Sequence, residues 1–278
     1  MAILQKIYEW ALGLSPTVKR LRSQHWYPLV TRMVKDTPVV FLNYGYVHLD
    51  PDAKAIELHQ ADEANRIFIH LYHRVAGAVD LRGRDVLEVS CGHGGGASYI
   101  TRYLKPRSLL GVDLNTRAIE FCKRYHFHEG LRFSHGDAES LHFDDHSFDA
   151  VVNVEASHCY GYMERFLAEV ARVLRPGGHF LFADIRRKDE SDRLHDQLVR
   201  SGLEVVEKEN ITPNILGAME ADSERRLRLI RQLAPKTLQY FFQQFAGTKG
   251  SGIHEAFRSG ASLYLRYRLR KGRAEAGA

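Results

Sequence analysis

The stretch from Asp85 to Leu104, DVLEVSCGHGGGASYITRYL, constrains the fold more than any other part of the chain. A short β-branched apolar run (85–90) ends in an acid and a small residue. It passes into the glycine-rich turn CGHGGG and then into a helical ASYITRYL. Gly92, Gly94 and Ala97 fit the pattern G-x-G-x-x-A. Glycines in such a turn let a ligand approach the backbone where a side chain would collide. The free N–H groups at the following helix start favour a negative group. Alone the pattern is weak; its value lies in the strand before it and the helix after it.

The same alternation continues along the chain. SLLGVD (108–113) reads as a second strand ending in Asp113, followed by helical spacing in NTRAIEFCKRYHF. LRFSHGD (131–137) and FDAVVNVEA (148–156) read as the third and fourth strands. MERFLAEVARVL (163–174) is an amphipathic helix with Phe166, Leu167, Val170, Val173 and Leu174 on one face. Pro176-Gly177-Gly178 is expected to stop it. HFLFADI gives a fifth strand, ESDRLHDQLVRSG a helix, LEVVEKENIT a sixth strand, and the alternating SLYLRYRLRK (262–271) a last one. Strands alternating with helices predict an α/β fold, a Rossmann-like seven-stranded, mostly parallel sheet with helices on both faces. Apolar runs such as DAVVNV fit strands buried on both sides.

Residues 81–211 and 259–271 form the expected core. Two regions lie outside it, residues 1–80 and an insertion at 212–258 with Phe241, Phe242, Phe245 and Phe257. Both are expected to be helical and to cover the open end of the sheet as a lid; 272–278 reads as a disordered tail. The formal net charge is +5, with bases interleaved among acids. The densest runs, Arg186-Arg187-Lys188 and RYRLRKGR, read as solvated faces, so no nucleic-acid partner is expected. Three unpaired cysteines, Cys91, Cys122 and Cys159, fit a reducing compartment. No stretch approaches the ~20 apolar residues of a membrane span, so the expected location is cytoplasmic, without stable membrane insertion. Oligomeric state is left open.

Asp113, at the end of the second strand, can accept hydrogen bonds from both hydroxyls of a ribose, which raises the glycine turn to a strong signal for an adenosine cofactor. Two details tilt the choice of cofactor. Glu88 at the strand end would repel a pyrophosphate and suits a cationic amine, as in the methionine part of S-adenosylmethionine. Asp137-Ala138, after the third strand, can receive an adenine amino group. A dinucleotide-dependent oxidoreductase shares the turn and Asp113, and is the rival from another class.

VLEVSCGHGGGASY, GVDLN, GDAESLHFDDHSFDAVVNVEASHCY and VLRPGGHFLFAD resemble the ordered motifs of class I S-adenosylmethionine-dependent methyltransferases. EVSCGHGGGASY and NVEASHCY, with HWYPL and HLYHR, are most similar to the phthiotriol/phenolphthiotriol dimycocerosate methyltransferases of mycobacteria, which O-methylate a lipid hydroxyl. Ser90 stands where the general pattern has its first glycine. By this resemblance Glu88, Ser90, Gly92 and Gly94 hold the methionine end of the cofactor, Asp113 and Leu114 the ribose, and Asp137 and Ala138 the adenine; Asn153 is a further cofactor contact.

Methyl transfer to an alcohol requires alignment and removal of one proton. The fourth strand ends NVEASHCY, and ligands of open α/β sheets bind beyond the strands' carboxyl ends. His158 is therefore the expected general base. Glu155 is expected to orient it, or to bind the methionine amine or the substrate. Tyr27, Tyr72, Tyr160 and Tyr162 are candidate substrate contacts. His70 and His73 show helical metal-ligand spacing without a third ligand, so no metal is expected. These readings predict an O-methyltransferase acting on a hydroxyl of a hydrophobic polyketide- or lipid-like small molecule. A C-methyltransferase or a non-methylating cyclase on the same fold is the alternative.

Overall fold

The computed structural model describes residues 39–273. Seven strands form one sheet in the order β3-β2-β1-β4-β5-β7-β6. They are β1 (Asp85–Val89), β2 (Ser108–Asp113), β3 (Leu131–His135), β4 (Phe148–Val154), β5 (Leu174–Arg187), β6 (Leu203–Asn210) and β7 (Ser262–Lys271). The first five run parallel, while β7 lies antiparallel between β5 and β6. The helices are α1 (Arg66–Ala76), α2 (Gly95–Tyr99), α3 (Thr116–Tyr125), α4 (Met163–Val173), α5 (Ser191–Arg200), α6 (Thr212–Leu233), α7 (Lys236–Phe245) and α8 (Gly252–Arg258). The expected Rossmann-like sheet is therefore present, and its chain order reverses between β1 and β4, where such sheets bind ligands.

Each face of the sheet has its own core. One joins α1, α2 and α3 to the start of α6, through residues such as Ile69, Leu71, Ala97, Ile119 and Ile215. The other joins α4 and α5, through Phe166, Leu167, Val170, Leu194 and Leu198. Alternation in β4 and β5 divides their apolar residues between the two cores, Ala150 and Val152 to one and Val151 to the other. That is why these strands read as continuous apolar runs.

The helix does stop before Pro176-Gly177-Gly178, but those residues belong to the next strand. The helix ends at Val173, and the chain is already extended at Leu174, which pairs with Phe148 in β4. Pro-Gly-Gly is thus part of β5, at a register shift between Phe148 and Ala150. Gly177 has φ +80°, a backbone shape that suits glycine at a bulge.

An irregular strap from Val39 to His48 is tied down by backbone groups. Val40 O accepts from Gly95 N, Tyr46 N donates to Ile67 O, and Val47 N donates to Asn214 O. Arg226 of α6 is its main anchor. The guanidinium, 7% exposed, donates to Asp222 at 2.9 Å, to Ala246 O at 2.6 Å and to Tyr44 O at 2.8 Å. Replacing Arg226 by Met keeps the stem but orphans two carbonyls and part of a buried carboxylate. A loss of about 2–4 kcal/mol in urea-denaturation stability is expected; a change below about 0.5 kcal/mol would show that the strap does not depend on this side chain.

Candidate active site

Two non-glycine residues at neighbouring strand ends have left-handed backbones, Ser90 (φ +59°) after β1 and Glu155 (φ +54°) after β4. Such strain persists where the surroundings over-determine it, and it gathers at functional sites. Both flank the point where the strand order reverses.

The β1 side is built on the glycine turn. Gly92 and Gly94 have positive φ, and a Cβ on Gly94 would press on Cys122, His126 and Phe133. Asp113 holds the turn from the next strand, accepting from Gly92 N at 2.9 Å and from Asn115 N at 2.8 Å. Leu114 follows it, half-buried. Asp137 accepts from Glu139 N at 3.0 Å, and Ala138 is buried beside it. Glu88 is 1% exposed; one oxygen accepts from the Tyr72 phenol at 2.8 Å, and Oε2 has no partner among the described residues. Burial pushes this carboxyl up to about 8. On the adjoining strand, Asn153 donates to Val89 O and to the Tyr160 phenol, while its Oδ1 is also buried without a partner. Unsatisfied buried acceptors are costly, and this pair suits a ligand that brings its own N–H donors.

The β4 side is a carboxylate-centred array. Asp184, 0% exposed at the end of β5, accepts from His158 Nδ1 at 2.7 Å, His158 N at 2.8 Å, Ile185 N and Ser157 Oγ, and pairs with Arg186 at 3.1 Å. Burial would raise the Asp184 pKa, but the His158 and Arg186 charges hold it far below the usual carboxylate range. Burial disfavours an imidazolium at His158; the adjacent Cys159 and Asp184 overcome this and hold its pKa well above 6.5. Glu155, on which the His158 charge also acts, is held by other partners. Its Oε2 accepts from Tyr44 N at 2.9 Å and from the Tyr264 phenol at 3.0 Å, and burial pushes the group up to about 7.

The carboxylate bonded to the imidazole is thus Asp184, while Glu155, for which orienting the imidazole was one of three expected roles, bonds Tyr44 and Tyr264 instead. The tyrosines divide. Tyr72 reaches Glu88, and Tyr160 bridges Ser90 Oγ (2.6 Å) and Asn153. Tyr162 is 41% exposed with Arg165 over its ring. Tyr27 lies outside the described residues. His73 Nδ1 is engaged by the Tyr99 phenol. Asp184, Tyr44 and Tyr264 were missed in the sequence. The one available signal was the acid that ends HFLFADI, in the position that made Asp113 stand out.

A family model described as a methyltransferase domain matches residues 87–182. The chain is 44% identical over 255 residues to a phthiotriol/phenolphthiotriol dimycocerosates methyltransferase of Mycobacterium tuberculosis, covering 92% of this chain and 93% of the relative. The chain is an S-adenosylmethionine-dependent methyltransferase. This methyltransferase is also 41% identical over 241 residues to a fatty-acid O-methyltransferase of Mycolicibacterium smegmatis, covering 87% of this chain and 86% of that one. Among solved structures, the [4+2]-cyclase SpnF matches its fold with a TM-score of 0.68 at 19% identity, over 92% of this chain and 97% of that one. Other solved structures of the fold are complexes with S-adenosylhomocysteine or sinefungin. Family membership sets aside the oxidoreductase reading.

Glu88 and Glu155 are held protonated in the fold above the 4.5 of an ordinary Glu carboxyl. Such groups stabilise the ligand-free fold fully below about pH 4.5 and lose that contribution as pH rises through about 7 and 8. Stability should therefore fall between about pH 5 and pH 8, by up to about 1.4 kcal/mol per pH unit for each group. Glu88→Gln removes one of them, and its urea midpoints should vary less steeply with pH than those of the unaltered enzyme. Equal slopes would place Glu88 in a wetter environment than this one.

Proposed function

We propose that the methyltransferase methylates a hydroxyl of a lipid-like small molecule, with His158 as general base and Asp184 as the residue that positions it. The observation that carries this reading is the His158–Asp184 pair at the carboxyl ends of β4 and β5. Asp184 occupies Nδ1, which leaves Nε2 as the nitrogen that takes the substrate's proton. The relatives named for mycobacterial lipids and fatty acids support a long apolar acceptor.

S-adenosylmethionine, when bound, supplies a methyl group on a sulfonium that is already a good leaving group. The protein's part is to hold and align. Glu88 Oε2 and Asn153 Oδ1 suit the methionine ammonium, and Ser90, Gly92 and Gly94 line the turn beside it. Asp113 has lone pairs left for the ribose hydroxyls, with Leu114 beside it, and Asp137 and Ala138 suit the adenine edge. Glu155, fixed by Tyr44 and Tyr264, borders the acceptor. In this reading the strap and residues 212–258 form the cover over the site; residues 1–38 lie outside the described residues.

Calorimetric titration with S-adenosylhomocysteine tests the cofactor site. Asp113→Ala should weaken binding roughly ten- to a hundredfold, while His158→Ala should leave it within about twofold. With an alcohol acceptor, His158→Ala should lower kcat by about 10²–10⁴-fold. The rate of the unaltered enzyme should rise with pH along a limb lying above pH 6.5, because only the neutral imidazole accepts a proton. Asp184→Asn should move that limb to lower pH. The fatty-acid relative supports a second reading, a carboxylate acceptor, which needs no base. There the imidazolium would hold the acceptor, and the rate would fall with pH over the same range.

A further inference from the structure

Gly96 is not a glycine that the turn itself requires. Gly92, Gly94 and Ala97 meet the pattern of the turn, and Gly96 lies inside α2 without a positive φ. What Gly96 supplies is room. A Cβ there would overlap the Tyr72 ring, with the phenol oxygen 2.6 Å away. Through this gap Tyr72 of α1, 6% exposed, reaches Glu88 Oε1 at the end of β1. Its ring also packs on Phe41 of the strap, 6.0 Å between centroids, while Ile69, Leu71 and Val75 fix α1 in the core.

The charges around this pair are one-sided. The titratable groups acting on Glu88 are Tyr72 from α1, Asp113 from β2 and Cys91 from the turn; no cation among the described residues does. A carboxylate so placed is costly, and burial makes the neutral acid the favoured form at pH 7. Tyr72 works the other way, since its hydrogen bond favours the carboxylate. The phenol stays a donor throughout, because burial and the Glu88 charge hold its pKa well above 10. The charge still missing is a positive one, and the amino-acid end of the cofactor carries it.

We propose that Tyr72 is the positioning residue of the ammonium subsite: through the gap at Gly96 it holds Glu88 for the amino-acid end of the cofactor, and binding of that end replaces the Glu88 proton with the ligand's ammonium. The Glu88 O–H bond breaks, the proton passes to solvent, and a carboxylate–ammonium pair forms; nothing is oxidised or reduced. The free site holds the proton and the loaded site does not, so affinity rises with pH and levels off above about 8. This inference rests on the placement of the methionine ammonium at Glu88 proposed above, and is independent of the acceptor and of His158.

The experiment is calorimetric titration of the full chain with S-adenosylhomocysteine between pH 6 and pH 8.5, in buffers of different ionisation enthalpy, which counts the protons released. 5′-Methylthioadenosine, which has the nucleoside and the sulfur but no amino-acid end, is the control ligand. The unaltered protein should release about one proton more with S-adenosylhomocysteine than with the control at pH 6.5, and less than about half of one at pH 8.5. Glu88→Gln should abolish that difference and bind S-adenosylhomocysteine more weakly. Tyr72→Phe should weaken binding about tenfold at pH 7 and move the levelling of affinity to higher pH; a merely structural role would lower affinity without moving it. Gly96→Ala, which displaces the Tyr72 ring, should reproduce that shift. Equal proton release with the two ligands overturns the proposal, and so does a Tyr72→Phe protein whose affinity levels at the unaltered pH. If Glu88→Gln also leaves the affinity within about twofold, the placement of the ammonium falls too; if it weakens binding, that placement stands without the proton exchange.

Discussion

A carboxylate with no solvent contact is tolerable only when its lone pairs are filled, and Asp184 meets that condition completely. Its partners come from the loop after β4 and from its own strand: Ser157, two groups of His158, Ile185 and Arg186. The loop therefore has no alternative arrangement of similar energy, because any shift would orphan a buried charge. The direction of the imidazole, the short turn at Ser157–Cys159 and the left-handed Glu155 just before it all depend on that anchorage. Glu155 is the complementary case. Its hydrogen bonds come from two neutral donors, Tyr44 N and the Tyr264 phenol, and burial outweighs the nearby His158 charge and pushes it toward the protonated state.

How much of this could be read in the sequence depended on whether the interaction was local. The glycine turn, the place of Asp113 at the end of β2 and the order of the first six strands along the chain follow from neighbouring residues, and the structure has them as expected. That Pro-Gly-Gly also makes a bulge inside β5 was not legible locally; the pairing of Leu174 with Phe148, 26 residues before it, decides this. Asp184 meets His158 across 26 residues, and Tyr44 and Tyr264 meet Glu155 across 111 and 109. No periodicity or spacing encodes such meetings; they exist only once the sheet is assembled.

The two sides of the site differ in chemical character. Around Glu88 and Asn153 the protein leaves acceptors buried and unpaired, a cost carried by the ligand-free state that a donor-rich ligand would relieve. Around Asp184 nothing is left unpaired. One half is thus prepared to receive a ligand, and the other is rigid before any ligand arrives. That division suits a reaction whose leaving group is good and whose remaining difficulty is alignment.

The last strand has a consequence for how the enzyme comes into being. β7 enters between β5 and β6, pairs with nine successive residues of β5 (His179 to Arg187), and delivers Tyr264 to Glu155. During synthesis, β5 and β6 leave the ribosome well before the strand that separates them exists. Until it emerges, β5 presents an open apolar edge, and a nascent chain in that condition is prone to pair with the wrong partner. The hydrogen bond from Tyr264 to Glu155 is therefore among the last to form, and a chain cut short by this strand would lack both the sheet's interior pairing and that contact.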